Sequence, residues 1–170
     1  VRRGLVSGRS YLVERFWCFF FFSSRRRHTR YIGEEEFGVN ILKVQEIIRT
    51  MEITKVPRAP EFVEGVINLR GKVIPIIDLR RRFGLAPKGH DKNTRIIVIE
   101  INNIIVGFVV DAVSEVLRIP ASTVEPPPPV VAGVDSDYIS GVGKLQDRLL
   151  IMLDLDKLLS GDDMELLTSI

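Results

Sequence analysis

An internal repeat is the feature of this sequence that most constrains its fold. Segments 65–78 (GVINLRGKVIPIID) and 141–154 (GVGKLQDRLLIMLD) agree in residue type at several positions when their first glycines are aligned. A second match lies upstream, between 38–49 (GVNILKVQEIIR) and 107–118 (GFVVDAVSEVLR). Each half has the same order of a strand pair, a loop, a hairpin and a short helix. The chain from residue 33 onward is therefore two related halves.

Local signals within these halves are typical of short strands joined by tight turns. Two runs rich in β-branched residues, 95–101 and 104–110, flank Asn102–Asn103. Asparagine tolerates the positive φ angles of a two-residue turn, so these runs predict a hairpin. The two repeated segments are interpreted in the same way, with turns at Arg70–Gly71 and near Gln146–Asp147.

Signals for helix starts and for strand breaks complete the secondary-structure prediction. Asp78 and Asp154 are predicted to cap short helices, and residues 162–170 are predicted to form a final short helix. The stretch 125–130 (EPPPPV) is expected to be a polyproline connector or an edge, because proline donates no hydrogen bond to a sheet ladder.

The spacing of these elements indicates the fold class. Short strands without long helices between them favour small antiparallel barrels over a parallel sheet. Each half has only about 65–70 residues, which is marginal for an independent domain. Hydrophobic residues form 45% of the chain, which is enough for a substantial core. We therefore expect a mainly β fold whose two halves share one core.

Residues 1–33 differ from the rest of the chain in composition. They contain eight Lys and Arg residues and one acid, whereas residues 34–170 contain 16 basic and 21 acidic residues. The apolar run 16–22 is too short for a transmembrane helix, which needs about 20 residues, and the arginines that follow it argue against a secretory signal. Translated non-coding sequence, a disordered basic arm and a membrane-associating patch remain as interpretations. We expect residues 1–33 to lie outside the folded domain, which we assign to 34–170.

No catalytic or metal-binding constellation is recognisable in the sequence. The single cysteine excludes an intrachain disulfide and a cysteine zinc cluster, and it fits a reducing compartment. His90 stands in a polar loop and is expected to be solvated. Asp78 and Asp154 are explained more simply as helix caps than as an acid–base pair. We therefore predict a binding or scaffold module that is not an enzyme and has no cofactor or metal.

Arg80, Arg81 and Arg82 form a basic cluster outside the N-terminal segment. We expect an exposed helix face, with phosphate contact as an alternative. Because residues 34–170 carry more acidic than basic side chains, binding driven by a nucleic-acid backbone is disfavoured. A nucleic-acid-binding barrel is kept as a remote alternative.

Four stretches of the sequence resemble the CheW-like domains of bacterial chemotaxis. They are EEEFGVNILKVQEIIR (34–49), VPRAPEFVEGVINLRGKVIPIIDLRRRFG (56–84), VGFVVDAVSEVLRIP (106–120) and YISGVGKLQDRLLIMLDLDKLLS (138–160). The pattern V-x-G-x-x-N-L-R-G-x-x-[IV]-P-[IV]-[IV]-D-L within the second stretch is highly specific to this family. The resemblance covers residues 34–170 without a large gap.

The resemblance implies both a fold and a function. The fold would be two five-stranded SH3-like β-barrels sharing a hydrophobic core, with short helices and a C-terminal helix. The function would be that of a non-enzymatic adaptor, without cofactor, which couples the cytoplasmic tips of chemoreceptors to the histidine kinase CheA. Its partners would be the CheA regulatory domain, methyl-accepting chemoreceptors and other CheW copies, without nucleic acid or membrane insertion. Such an adaptor is cytoplasmic and works at membrane-attached receptor arrays.

Residues with a known function in the family are assigned to this chain only at positions where its motifs match. The resemblance implies receptor binding by Val44, Glu46 and Arg70, and Arg70 at a hairpin tip could pair with Glu46 on a neighbouring strand. The alternative is that Val44 is a core residue and the two charges form only a surface ion pair. In the second half Glu115 keeps the carboxylate, but Gln146 or Asp147 stands at the hairpin turn where the first half has Arg70.

A kinase-binding patch on the first barrel is also implied by the resemblance. Its residues would be Ile41, Val56, Pro57 and Phe62. The alternative is that these side chains simply fill the core.

The resemblance breaks down at the first strand. Family members begin with an alternating apolar strand, whereas residues 25–29 (RRRHT) stand in its place and only residues 30–33 supply its end. We therefore expect the first barrel to lack a proper edge strand, residues 25–29 to pack poorly, and the chain to be less stable than an intact relative.

Two related kinds of protein remain as alternatives to a standalone adaptor. The chain could be the CheW-like domain of CheA itself, or the first domain of a CheV-type adaptor. Its end soon after the last predicted helix favours the standalone protein.

Overall fold

The computed structural model describes residues 15–21, 36–127, 130–131, 134–146 and 149–170. Within these ranges the chain forms thirteen β-strands and three α-helices. The strands are β1 (Arg15–Phe21), β2 (Glu36–Asn40), β3 (Val44–Arg49), β4 (Val63–Leu69), β5 (Lys72–Asp78), β6 (Arg95–Ile101), β7 (Ile104–Val110), β8 (Ala112–Ile119), β9 (Val124–Glu125), β10 (Val130–Val131), β11 (Val134–Asp135), β12 (Ile139–Lys144) and β13 (Leu149–Leu153). The helices are α1 (Leu79–Arg82), α2 (Leu155–Leu158) and α3 (Gly161–Thr168).

Two sheets built on the same plan dominate the fold. The first has the strand order β3-β6-β7-β5-β4, and the second has the order β8-β1-β2-β13-β12-β9. The sequence repeat aligns β2 with β7, β3 with β8, β4 with β12 and β5 with β13, which makes β1 the counterpart of β6. Five strands of each sheet are then equivalent in order, and β9 is a short addition to the second. The predicted pair of five-stranded barrels is confirmed, and we call them the first and second barrel.

The two barrels exchange strands between the sequence halves. β2 comes from the first half but pairs in parallel with β13 of the second, where Phe37 lies opposite Ile151. β7 comes from the second half but pairs in parallel with β5 of the first, where Gly107 lies opposite Ile76. The repeat in the sequence therefore does not coincide with the division into barrels, and neither half contains a complete barrel.

β1 places part of the N-terminal segment within the second barrel. It pairs antiparallel with β2 on one side and with β8 on the other. Trp17 is only 5% exposed and belongs to the apolar cluster inside that barrel. The structure thus differs from the expectation that all of residues 1–33 lie outside the domain. The apolar run is too short for a membrane helix, but seven residues are enough for a β-strand. Residues 22–35, including the predicted poor packing of 25–29, lie outside the described residues.

Three apolar clusters form the interior. One contains only side chains of the first sheet, such as Ile76, and another only side chains of the second, such as Met152. The largest combines both sheets with the helices and includes Ile77 and Ile151. Neighbouring strand residues face opposite sides of a sheet, so Ile76 fills its own barrel while Ile77 packs between the two. The predicted shared core is confirmed.

The predicted turns at Asn102–Asn103 and Arg70–Gly71 and the predicted helix starts are confirmed, whereas the predicted turn near Gln146–Asp147 and the proline stretch 125–130 lie partly outside the described residues. Asn102 and Asn103 have φ angles of 49° and 65° and join β6 to β7. The side chain of Asp78 accepts hydrogen bonds from the first turn of α1, and Asp154 does the same for α2. The predicted final helix is α3, which begins with a capping box at Ser160.

The first barrel closes along a seam between its outer strands, β3 and β4. The chain beyond β3 runs beside β4, where Thr54 N donates to Val66 O at 2.9 Å and Val66 N donates to Thr54 O at 2.8 Å. Glycine is required at position 65, because a Cβ atom there would lie 2.3 Å from the Thr54 carbonyl oxygen. In the second barrel β9 makes the equivalent pairing with β12.

Candidate protein-binding surface

The turn between β4 and β5 presents the first of the candidate receptor-binding residues. Arg70 and Gly71 form this turn with φ angles of 52° and 84°. The Asn68 side-chain oxygen accepts a hydrogen bond from Gly71 N at 2.9 Å and so fixes the turn. Glycine adopts a positive φ without strain, whereas arginine does so at a cost.

Arg70 pairs with Glu46 across the seam. Its Nη1 donates to Oε2 at 2.9 Å and its Nη2 donates to Oε1 at 2.7 Å, which orients both groups. The hydrogen bond from Arg70 holds the pKa of Glu46 below its usual range against a smaller effect of desolvation, and Glu46 in turn raises the pKa of Arg70. The Arg70 side chain is still 74% exposed. The pair is therefore held in one orientation and remains exposed to solvent.

Apolar side chains lie on both sides of Glu46 in the sequence. The Asn40 side chain accepts a hydrogen bond from Leu42 N and caps the single 3₁₀ turn Ile41–Lys43, and Leu42 on this turn is 90% exposed. Val44 is half-buried and packs against the shared core, while Ile47 on β3 is exposed. Part of the Val44 side chain thus packs against the core. Leu42 and Ile47 supply exposed apolar area that the sequence analysis did not identify.

A cleft of about 510 Å³ opens beside Leu42. Polar pairs line its edges: Lys43 forms an ion pair with Asp156 on α2, and Gln45 donates to Glu100 on β6 at 2.7 Å. The cleft thus combines one exposed apolar side chain with polar groups that are already hydrogen-bonded or ion-paired.

The candidate kinase-binding residues lie on two segments. Val56, Pro57 and Phe62 belong to the loop between β3 and β4, and Ile41 belongs to the 3₁₀ turn before β3. Ile41 and Phe62 are half-buried and pack against the shared core. Val56 is half-buried and Pro57 is exposed. The structure therefore places three of the four on one loop, and core packing explains part of the burial of Ile41 and Phe62.

The arginine cluster of α1 corrects the sequence-based expectation of an exposed basic face. Arg80 is 9% exposed, and its Nη1 pairs with Asp111 at 2.9 Å. Arg82 is also largely buried and pairs with Asp163 at 3.1 Å. Arg81 alone of the three is substantially exposed. A single helical turn points three successive side chains in different directions, so these three form no common phosphate-binding face.

His90 is an exposed loop residue, as the sequence predicts, but its ring nitrogens also have partners on two neighbouring segments. Its Nε2 lies 2.9 Å from Glu64 Oε1 on β4, and its Nδ1 lies 3.3 Å from Thr50 Oγ1 just beyond β3. His90 therefore bridges the seam at the end opposite Arg70. Among the described residues, no group of His, Cys, Asp and Glu side chains could hold a metal ion.

The helices in the described part of the chain are all short. None of them is both long and apolar enough to cross a membrane.

Comparisons with known proteins agree with this architecture. The family model for the CheW-like domain matches residues 29–163. The chemotaxis protein CheW of Klebsiella aerogenes is 42% identical over 139 residues, covering 82% of this chain and 84% of that protein. CheW of Helicobacter pylori is 38% identical over 131 residues, covering 77% and 79%. The crystal structure of the scaffolding protein TtCheW from Thermoanaerobacter tengcongensis matches with a TM-score of 0.74 at 37% identity, covering 91% of this chain and 94% of that one.

The matched range includes the features that define the two barrels. Both repeated hairpins, both capped helices and the Glu46–Arg70 pair lie within residues 29–163, whereas β1 precedes that range. The extent of this match, the identity to curated relatives and the shared architecture show that the chain belongs to the CheW family of non-enzymatic chemotaxis adaptors.

Proposed function

We propose that this adaptor couples the cytoplasmic tips of chemoreceptors to the histidine kinase CheA. Its receptor surface consists of Val44, Glu46 and Arg70, to which we add Leu42. The observation that carries this proposal is the exposed Arg70, which has strained backbone and is held by both carboxylate oxygens of Glu46. A partner that binds a side-chain pair already fixed in position loses less conformational entropy than one that must order flexible groups.

Exposed apolar side chains close to Glu46 in the sequence support a protein as the receptor-side partner. Leu42 and Ile47 are exposed, and half-buried Val44 lies between them in the sequence. An amphipathic helix can place apolar side chains on such a surface while its polar positions exchange hydrogen bonds with the flanking ion pair. The apolar contacts would supply affinity, and the charged pair would supply orientation.

We propose a separate kinase surface for the CheA regulatory domain. It consists of Ile41, Val56, Pro57 and Phe62. Since the receptor and kinase surfaces share no residue, we expect both partners to bind one adaptor at once. In this role the adaptor works in the cytoplasm at membrane-attached receptor arrays, where other copies of the adaptor are further partners.

Co-sedimentation with receptor fragments and CheA tests the proposal. We expect Arg70→Ala to lose receptor binding and receptor-coupled kinase activation but to retain CheA binding. The matched control is Lys144→Ala, because Lys144 forms an exposed ion pair with Glu125 in the second barrel at 2.8 Å. Lys144→Ala should retain both partners. Unchanged receptor binding by Arg70→Ala would rule out the proposed receptor surface.

A further inference from the structure

We infer that Arg82 is a positioning residue for the kinase surface, an inference that rests on the proposed function. Its side chain leaves α1 and is only 18% exposed. Nε donates to the Leu158 carbonyl oxygen at 2.9 Å, and Nη2 donates to Asp163 Oδ2 at 3.1 Å. Leu158 is the last residue of α2 and Asp163 lies in the first turn of α3. The C-terminal helices therefore hold the guanidinium group in one orientation.

The guanidinium group held in this way lies over two aromatic rings. Its Cζ atom is 4.8 Å from the centre of the Phe62 ring and 5.7 Å from the centre of the Tyr138 ring. Both distances are within the range of cation–π attraction. Phe62 precedes β4 of the first barrel, and Tyr138 precedes β12 of the second. A single side chain thus connects a residue of the kinase surface with the second barrel and with both C-terminal helices.

The backbone at Phe62 is held by other contacts, so Arg82 acts on the ring. The Phe62 carbonyl oxygen accepts a hydrogen bond from Asp78 N at 2.9 Å. Arg81 Nη1 donates to the Glu61 carbonyl oxygen at 3.3 Å. These bonds fix where the loop enters β4, but they do not by themselves restrict rotation of the Phe62 side chain. The ring packs against the shared core and under Arg82, and these two contacts limit that rotation.

Lysine cannot replace Arg82 in this arrangement. Its ammonium group keeps the charge and has three donors, but these lie on one nitrogen and form no planar fork that can stack on a ring while donating to two separate acceptors. Arg82→Lys therefore removes the positioning contact and leaves the charge. Arg95→Lys is the matched control, because it is the same exchange at a partly exposed side chain on β6, which donates to the carbonyl oxygens of Lys92 and Thr94 in its own turn.

The test measures the affinity of the whole chain for the CheA regulatory domain and, separately, for receptor tips. The variants are Arg82→Lys, Arg95→Lys and Phe62→Ala. We expect Arg82→Lys and Phe62→Ala to weaken CheA binding roughly three- to tenfold and Arg95→Lys to leave it unchanged. Receptor binding should be unchanged in all three. Because a merely structural defect would weaken both partners together, the difference between them is the decisive measurement.

Each contrary result identifies what has failed. If Phe62→Ala weakens CheA binding but Arg82→Lys does not, the positioning role of Arg82 is wrong and the kinase surface stands. If Phe62→Ala leaves CheA binding unchanged, the kinase surface at Phe62 is wrong and the inference falls with it. If Arg82→Lys weakens CheA and receptor binding equally, Arg82 stabilises the fold and positions nothing for the kinase.

Discussion

Arg70 donates two hydrogen bonds to Glu46 across the seam of the first barrel, and so joins the β4–β5 turn to β3. At the opposite end of the seam, His90 spans the same gap between Glu64 on β4 and Thr50 just beyond β3. Backbone hydrogen bonds close the part between them. The proposed receptor surface is therefore built on the contacts that close the barrel, so that a substitution there can affect both folding and binding.

The pH dependence of stability tests the Glu46–Arg70 pair. Arg70 lowers the pKa of Glu46 in the folded state from the ordinary value of 4.5. The contribution of the pair is therefore fully present above that value and is lost as the pH falls through the lower folded-state pKa. We expect Arg70→Ala to lower the free energy of unfolding at neutral pH, and the difference from wild type to shrink as the solution becomes more acidic than 4.5. Urea denaturation at a series of pH values measures this difference.

The same substitution in a Glu46→Gln background is the control for this pH series. Without the carboxylate, the effect of Arg70→Ala on the free energy of unfolding should no longer change over the acidic range. A pH-dependent effect of Arg70→Ala that persists in this background would mean that another group titrates against Arg70.

Arg70→Asn separates the strain of the turn from the contact that the arginine makes. Asparagine accepts a positive φ more readily than arginine or alanine. We therefore expect Arg70→Asn to melt at a higher temperature than Arg70→Ala. Both variants should lose receptor binding to the same extent, by about tenfold or more. Equal melting temperatures would show that the positive φ of Arg70 stores no strain.

Several local features could be predicted because they depend on residues close in sequence. The Asn102–Asn103 turn follows from the backbone preference of asparagine, and the starts of α1 and α2 follow from the capping carboxylates of Asp78 and Asp154. The pairing of Arg70 with Glu46 could also be anticipated, since a hairpin tip and a neighbouring strand place the two charges within reach.

Other features depend on contacts between distant parts of the chain. Nothing local indicates that β2 pairs with β13, because the apolar runs of the two halves are alike and either could fill the same place in a sheet. The burial of Arg80 follows from Asp111, which only the fold brings beside it. The outward direction of Leu42 depends on the turn that Asn40 caps. Asparagine before a short apolar run is a capping signal that could have revealed this turn.

Gly65→Ala tests the closure of the seam. A Cβ atom at this position would lie 2.3 Å from Thr54 O and 2.7 Å from the Ile53 side chain, so the chain beyond β3 must move away from β4. We expect a loss of at least about 2 kcal/mol in the free energy of unfolding. The matched control is Gly89→Ala, where a Cβ atom meets nothing within 4 Å. It should change stability by less than about 0.5 kcal/mol. Equal effects of the two substitutions would contradict the close approach of Thr54 to β4.

Trp17 tests whether β1 belongs to the second barrel. It is the single tryptophan of the chain, so its fluorescence reports on β1 alone. The side chain is 5% exposed and packs with Ile119, Leu150 and Met152. We expect emission typical of a buried indole, and a shift to longer wavelength in the same urea transition that removes the circular dichroism of the sheets. Trp17→Ala should lower the free energy of unfolding by about 3–5 kcal/mol.

An exposed apolar residue on the neighbouring strand provides the comparison for Trp17. Val116 on β8 is half-exposed, and Val116→Ala should cost less than about 1 kcal/mol. If Trp17→Ala costs no more than Val116→Ala, and wild-type emission is that of a hydrated indole, residues 15–21 do not fill the strand position between β2 and β8. Replacing the N-terminal segment with the alternating strand of an intact relative should then raise the melting temperature. If Trp17 is buried as described, most of that gain should be absent, because the position is already occupied.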